Sequence, residues 1–171
     1  MSRLTLVLGG ARSGKSAYAE TVLAAAPAPW LYVATGQARD DEMRARIAAH
    51  RARRAGGWQT VEVPLALGEA LEDAGAMPAL VDCLTLWLTN LLLGEHDVAG
   101  ATARLEAALG RRGAPTVLVA SEVGLGIVPE NALARRFCDA AGLLHQRLAR
   151  LSDHVVLVAA GLPLVLKQAA T

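Results

Sequence analysis

Lysine is almost missing from this chain of 171 residues: only Lys15 and Lys167 occur, against a Lys+Arg total of 17. Basic charge is carried by arginine, and Lys15 stands out. Cysteine is as scarce. Cys83 and Cys138 stand far apart with no CxxC spacing. That argues against a disulfide framework or a zinc site and suits buried thiols in a reducing compartment. Aromatic residues make up 4% of the chain, and the scattered Trp30, Trp58 and Trp87 read as packing residues rather than a stacking set. Neither sign of charge dominates. A net charge of +1 creates no global field toward nucleic acid or a membrane, so neither is expected as a partner, and any attraction for anions must be local. Long apolar runs are missing too. The one in "MSRLTLVLGG" spans about five residues and ends in glycines, too short for a signal segment or a membrane span. The expectation is a cytoplasmic protein.

What is there is a 53% hydrophobic composition on a length near the commonest size of one domain. Short apolar runs alternate with helical stretches. Strands are expected at 3–8, 30–35, 59–63, 79–83, 116–121 and 154–160, with an edge strand at 163–167. Helices are expected at 15–26, 40–54, 66–75, 84–93, 99–112 and 130–151. The runs 79–83, 116–121 and 154–160 are continuously apolar, as central parallel strands covered on both faces must be. Strand alternating with helix implies right-handed crossovers and a three-layer α/β sheet, mostly parallel, in a single domain over 1–171. Gly94 to Gly100 has the composition of a mobile loop.

The strongest local signal is "GGARSGKS", residues 9–16. It fits G-x-x-x-x-G-K-[ST] between a strand and a helix, the setting of a phosphate-binding P-loop. Glycine permits turns that a Cβ would obstruct, so successive N–H groups can face phosphate oxygens. The start of the following helix adds its positive dipole end. Lys15 would reach the β and γ phosphates, and the Ser16 hydroxyl would ligate Mg²⁺. Such a site needs an acid at the end of a neighbouring strand, and "ALVDC" supplies Asp82 after three apolar residues. The plain alternative is that Asp82 caps the helix beginning near Leu84.

The stretch "DDEMRARIAAHRARR" reads as a helix with both ends charge-matched, acids at 40–42 and arginines at 51, 53 and 54. At the 3.6-residue period Met43, Ile47, His50 and Arg54 share a stripe. His50 therefore projects beside apolar residues, with Arg46, Arg53 and Arg54 one turn away. Positive neighbours disfavour imidazolium, and a neutral imidazole is a nucleophile. The same arginines would bind a polyphosphate and stabilise charge developing on it. Those surroundings suit attack on phosphorus through a covalent histidine–nucleotide intermediate. The alternative is a half-buried structural histidine among solvated arginines.

Together these segments resemble the bifunctional adenosylcobinamide kinase/adenosylcobinamide-phosphate guanylyltransferase family of cobalamin biosynthesis. The resemblance runs over nearly the whole chain, through "LVLGGARSGKSAYAE", "YVATGQARDDEMRARIAAHRARR", "LVDCLTLWLTNLL" and "SEVGLGIVPENALARRFCDAAGLLHQRLA". It implies two reactions. A nucleoside triphosphate, ATP or GTP, phosphorylates the aminopropanol hydroxyl of adenosylcobinamide. GTP then transfers GMP to that phosphate through a guanylylated histidine, here His50, giving adenosylcobinamide-GDP and pyrophosphate. The family's GTP contacts would map to Gly9, Gly10, Ala11, Arg12, Ser13, Gly14, Lys15 and Ser16, to Ala34, Thr35 and Gly36, to Arg51, Ala52, Arg53 and Arg54, and to Glu62. A carboxylate at Glu62 can accept from the guanine N1–H and N2 amino groups or from a ribose hydroxyl. The resemblance also implies a recombinase-like P-loop fold and a homotrimer. A simple P-loop kinase with His50 structural is the alternative function.

Glu122 opens the "EVGLGIVPEN" loop, either as a second acid near the transferred phosphoryl group or as a solvated loop acid. Thr89 and Asn90 either face the site or pack their helix. His145 and Cys138 depart from the family pattern, where asparagine and arginine are expected. Both are expected to lie away from the nucleotide-binding motifs.

Overall fold

The computed structural model describes residues 2–37 and 56–169. The expected helix 40–54, and with it His50, Arg51, Ala52, Arg53 and Arg54, lies outside the described residues. Seven strands form one sheet in the order β3-β2-β4-β5-β1-β6-β7. They are β1 (Leu4–Gly9), β2 (Trp30–Ala34), β3 (Trp58–Glu62), β4 (Ala79–Asp82), β5 (Thr116–Ser121), β6 (His154–Ala159) and β7 (Leu162–Gln168). All pairings are parallel except β6 with β7. Five helices are described: α1 (Lys15–Leu23), α2 (Leu67–Asp73), α3 (Leu84–Leu93), α4 (Val98–Arg111) and α5 (Ala132–Leu151).

The central strands are apolar on both faces because helices cover both. On one face Leu6, Leu8, Leu118 and Ala120 meet Leu67, Leu71, Trp87, Leu91, Leu105, Leu109, Leu144 and Leu148 from the other four helices. On the other, Val7, Leu80, Val117, Val119 and Val156 close over Ala19 and Leu23 of α1. Burying one such side chain contributes about 1.5–3 kcal/mol, so the alternation along β1 and β5 holds the two layers in place.

The sequence expectations hold for every strand and helix within the described residues, with no end moved by more than three positions. Three readings need correction. Asp82 does not sit on the strand next to the P-loop strand, because β5 lies between β4 and β1. Nor does it cap α3, whose N-cap is Cys83 with no side-chain cap bond. The expected loop Gly94–Gly100 is cut short: residues 94–97 are turn and irregular chain, but α4 begins at Val98, where the Asp97 carboxylate accepts from the Gly100 N–H, a local bond that composition alone does not advertise.

Candidate nucleotide site

The parallel register brings the expected site residues to one edge. Ala34 pairs with both Glu62 and Asp82, Asp82 with Val119, and Gly9 with Ser121. The carboxyl ends of β1 to β5 thus place Gly9, Ala34, Glu62, Asp82 and Ser121 along one line, where open α/β sheets receive ligands.

The P-loop leaves β1 at Gly9 and wraps to α1. A Cβ on Gly9 would stand 2.5 Å from the Val158 carbonyl oxygen and from Ser13 Oγ, so only glycine fits. Arg12 and Gly14 have left-handed φ of 55° and 92°, which turns the intervening N–H groups inward. Gly14 is the N-cap of α1 and offers no side chain, and no acid stands in the first helical turn. The helix end is therefore left positive. Lys15 Nζ donates to the Gly10 carbonyl oxygen at 3.0 Å, laying the ammonium over the loop. The Ser13 hydroxyl is buried without a hydrogen-bond partner among the described residues, as expected of a loop shaped for a ligand. Ala11 and Ser16 complete the loop at its tip and at the start of α1. The β6–β7 turn props it from behind: Gly161 N–H donates to Ser13 O at 2.8 Å, and a Cβ on Gly14 would stand 3.2 Å from Gly161 Cα.

At the end of β4, two strands from β1, Asp82 accepts from the Tyr32 hydroxyl at 2.9 Å. Thr35 is wholly buried. Its hydroxyl accepts from Cys83 N–H at 2.9 Å and donates to Cys83 O at 2.6 Å. Asn90 Nδ2 donates to the carbonyl oxygens of Thr35 and Pro64 at 2.8 and 3.1 Å. Thr35 therefore acts as a knot joining β2, β4 and α3, and it fixes the backbone of Ala34 and Gly36. Asn90 packs its helix against that knot; Thr89 donates to Thr85 O within α3. Burial, with the Asp82 charge adding to it, pushes the Cys83 thiol up to about 11, so this cysteine is a small apolar residue here. Glu62, at the end of β3, is exposed.

Trp30 and Trp58 pair at the opposite, amino ends of β2 and β3, with ring centroids 5.3 Å apart. Trp87 is core, its indole donating to Leu65 O at 2.8 Å. None forms a stacking set at the site.

His145 and Cys138 are not remote from the motifs. His145 Nδ1 lies 3.6 Å from a carboxylate oxygen of Glu122, and Glu122 N–H donates to Gly9 O at 3.0 Å. The Cys138 thiol lies 3.7 Å from Val123 O. Both α5 side chains reach the segment that follows β5. Spacing along α5 places the two on one helix face, but only the β5–α5 packing shows what that face meets.

A glycine loop that presents backbone N–H groups and one lysine at the end of a parallel strand defines a P-loop nucleoside-triphosphate-binding protein. The fold agrees. An ATPase from the type III secretion system of pathogenic bacteria superposes with a TM-score of 0.57 at 14% identity, over 91% of this chain and 50% of that one. More specifically, residues 5–166 match the family described as cobinamide kinase / cobinamide phosphate guanyltransferase, and the chain belongs to that family. It is 49% identical to the bifunctional adenosylcobalamin biosynthesis protein CobP of Pseudomonas aeruginosa, over 95% of this chain and 96% of that one. It is 43% identical to the bifunctional adenosylcobalamin biosynthesis protein CobU of Salmonella typhimurium, over 96% and 99% of the two chains. The chain is thus an enzyme of cobalamin biosynthesis, a kinase and guanylyltransferase by family.

Proposed function

We propose that this chain, as one domain, carries out both transfers at the carboxyl edge of its sheet. In the first, the aminopropanol hydroxyl of adenosylcobinamide attacks the γ phosphorus of ATP or GTP, and the nucleoside diphosphate leaves. In the second, an imidazole nitrogen of His50 attacks the α phosphorus of GTP. A P–N bond forms, the bond to the β-phosphate oxygen breaks, and pyrophosphate departs. The phosphate of adenosylcobinamide phosphate then attacks the same phosphorus, the P–N bond breaks, and adenosylcobinamide-GDP is released with the imidazole neutral again.

The observation that carries this reading is the P-loop of Gly9 to Ser16 on the same edge as Ala34–Gly36, Glu62 and Asp82. The loop N–H groups and Lys15 hold the triphosphate and stabilise charge developing on it. Glu62 accepts from guanine or ribose. Arg51, Ala52, Arg53 and Arg54, following His50 in sequence, supply the remaining nucleotide contacts. The hydroxyl of Ser16 and the carboxylate of Asp82 are hard oxygen donors of the kind Mg²⁺ takes, so the residues present fit that ion. Bound there, it would neutralise phosphate charge. The apolar edge strand β7, with Leu162, Leu164, Val165 and Leu166 all exposed, supports a homotrimer by giving copies a surface to bury. No described helix is long and apolar enough to cross a membrane. The enzyme works on small molecules in the cytoplasm, without nucleic acid.

The test is intact mass after incubation with GTP and Mg²⁺. Wild type gains one GMP, labile in acid and stable in base, and His50→Ala gains none while keeping kinase activity. Lys15→Ala loses both activities. If GTP binds and wild type shows no adduct, the enzyme is a P-loop kinase and His50 is structural.

A further inference from the structure

Directly after β5 the chain crosses the carboxyl edge as an open loop, residues 122–131. On it Leu125, Ile127 and Val128 are 83%, 97% and 74% exposed. Single apolar side chains on a surface need no explanation, but three within four residues do. Nor is the loop slack. At its root, Glu122 N–H donates to Gly9 O at 3.0 Å. The Glu122 carboxylate accepts from Gly124 N–H at 2.9 Å and faces His145. At its far end, Arg135 donates to the carbonyl oxygens of Pro129 and Glu130, and Asn131 accepts from the N–H groups of Leu133 and Ala134. Both ends are pinned, and the apolar tip is held out in water. The root is hydrogen-bonded to the first residue of the P-loop, so the tip belongs to the rim of the nucleotide site.

We propose that this loop is the acceptor shelf: Leu125, Ile127 and Val128 receive an apolar face of the corrinoid, and the pinned root keeps that contact in register with the P-loop. The proposal rests on the kinase reading of the site. The acceptor must bring one hydroxyl to a phosphate while the methyl groups and ring carbons of a large macrocycle, set between its amide side chains, need apolar surface to rest on. Contacts this far from the reacting hydroxyl bind substrate and transition state alike, so they lower KM and leave kcat unchanged. Size favours this occupant over a second copy of the chain. Three side chains offer on the order of a few hundred Å², well short of the roughly 1,200–2,000 Å² that a stable protein interface buries.

The experiment compares wild type with Ile127→Ser and with the double variant Leu125→Ser/Val128→Ser. The side chains removed are exposed, so the fold is retained. Kinase kinetics are measured with adenosylcobinamide, alongside GTP affinity and molecular mass by light scattering. The expected result is a KM for adenosylcobinamide raised roughly tenfold, with kcat, GTP affinity and mass unchanged. An unchanged KM overturns the shelf. So does a fall in molecular mass, which would make the loop an interface between copies. If wild type binds GTP yet never phosphorylates adenosylcobinamide, the functional reading itself fails, and that outcome is distinct from both.

Discussion

Single residues in this protein are defined by what they are bonded to. Lys15 was conspicuous from the rarity of lysine alone, and it lies over the P-loop, donating to Gly10 O. His145 is the opposite case. In sequence its position is only a departure from the family pattern, yet it is a buried imidazole 3.6 Å from Glu122. Burial pulls its pKa below the ordinary histidine value, and the Glu122 charge opposes that shift without cancelling it. A base whose folded pKa is lowered binds more protons in the unfolded chain. Its contribution to stability is therefore present above the ordinary value of about 6.5 and is lost as pH falls below it. We predict that the melting temperature of wild type falls on going from pH 7.5 to pH 5.5, and that His145→Asn flattens part of this fall. Parallel melts with equal slopes in the two proteins would show that His145 does not carry the effect.

At the scale of elements, the joints decide which strand ends meet. Arg112 follows α4 and is buried. Its guanidinium donates to the carbonyl oxygens of Leu71, Gly75 and Met77 and to the Thr116 hydroxyl. One side chain thus ties the end of α2 and the approach to β4 to the start of β5, and burial lowers its pKa without removing its charge at neutral pH. Replacing Arg112 by Met would strand those acceptors. We expect a loss of about 3 kcal/mol, read as the shift in urea midpoint at constant m-value. A loss below about 1 kcal/mol would mean that water takes over the contacts. In sequence Arg112 is only the last residue of an expected helix, because a cation that gathers three carbonyls between residues 71 and 77 and the Thr116 hydroxyl leaves no periodic trace. The Thr35–Cys83–Asn90 knot was hidden for the same reason. The sequence presents Thr35 as a nucleotide contact, Cys83 as a buried thiol and Asn90 as a residue that faces the site or packs its helix, because the bonds joining them span 48 and 55 residues.

For the whole molecule, the informative feature is the unburied edge. β7 pairs with β6 alone, and all seven of its residues are exposed. An apolar edge strand left in water is a template for association. Placing a charge there, as in Leu164→Lys, is expected to shift the protein toward a monomer in sedimentation velocity while leaving thermal stability within about 0.5 kcal/mol of wild type. A wild-type protein that sediments as a monomer would remove the homotrimer from the proposed function.

Much of this was written locally. The apolar runs, their spacing and the glycine-rich turn are short-range signals, so the strands, the α/β class and the P-loop of Gly9 to Ser16 could be read from the chain alone. The family followed from the same segments. Tertiary structure decided what depends on strand order. It inserted β5 between the P-loop strand and the strand of Asp82, brought His145 and Cys138 against the segment after β5, and set the β6–β7 turn behind Gly14. The physical reason is range. Turn geometry and helical period act over a few residues, whereas strand neighbours and buried polar partners are chosen by packing between segments that the sequence holds far apart.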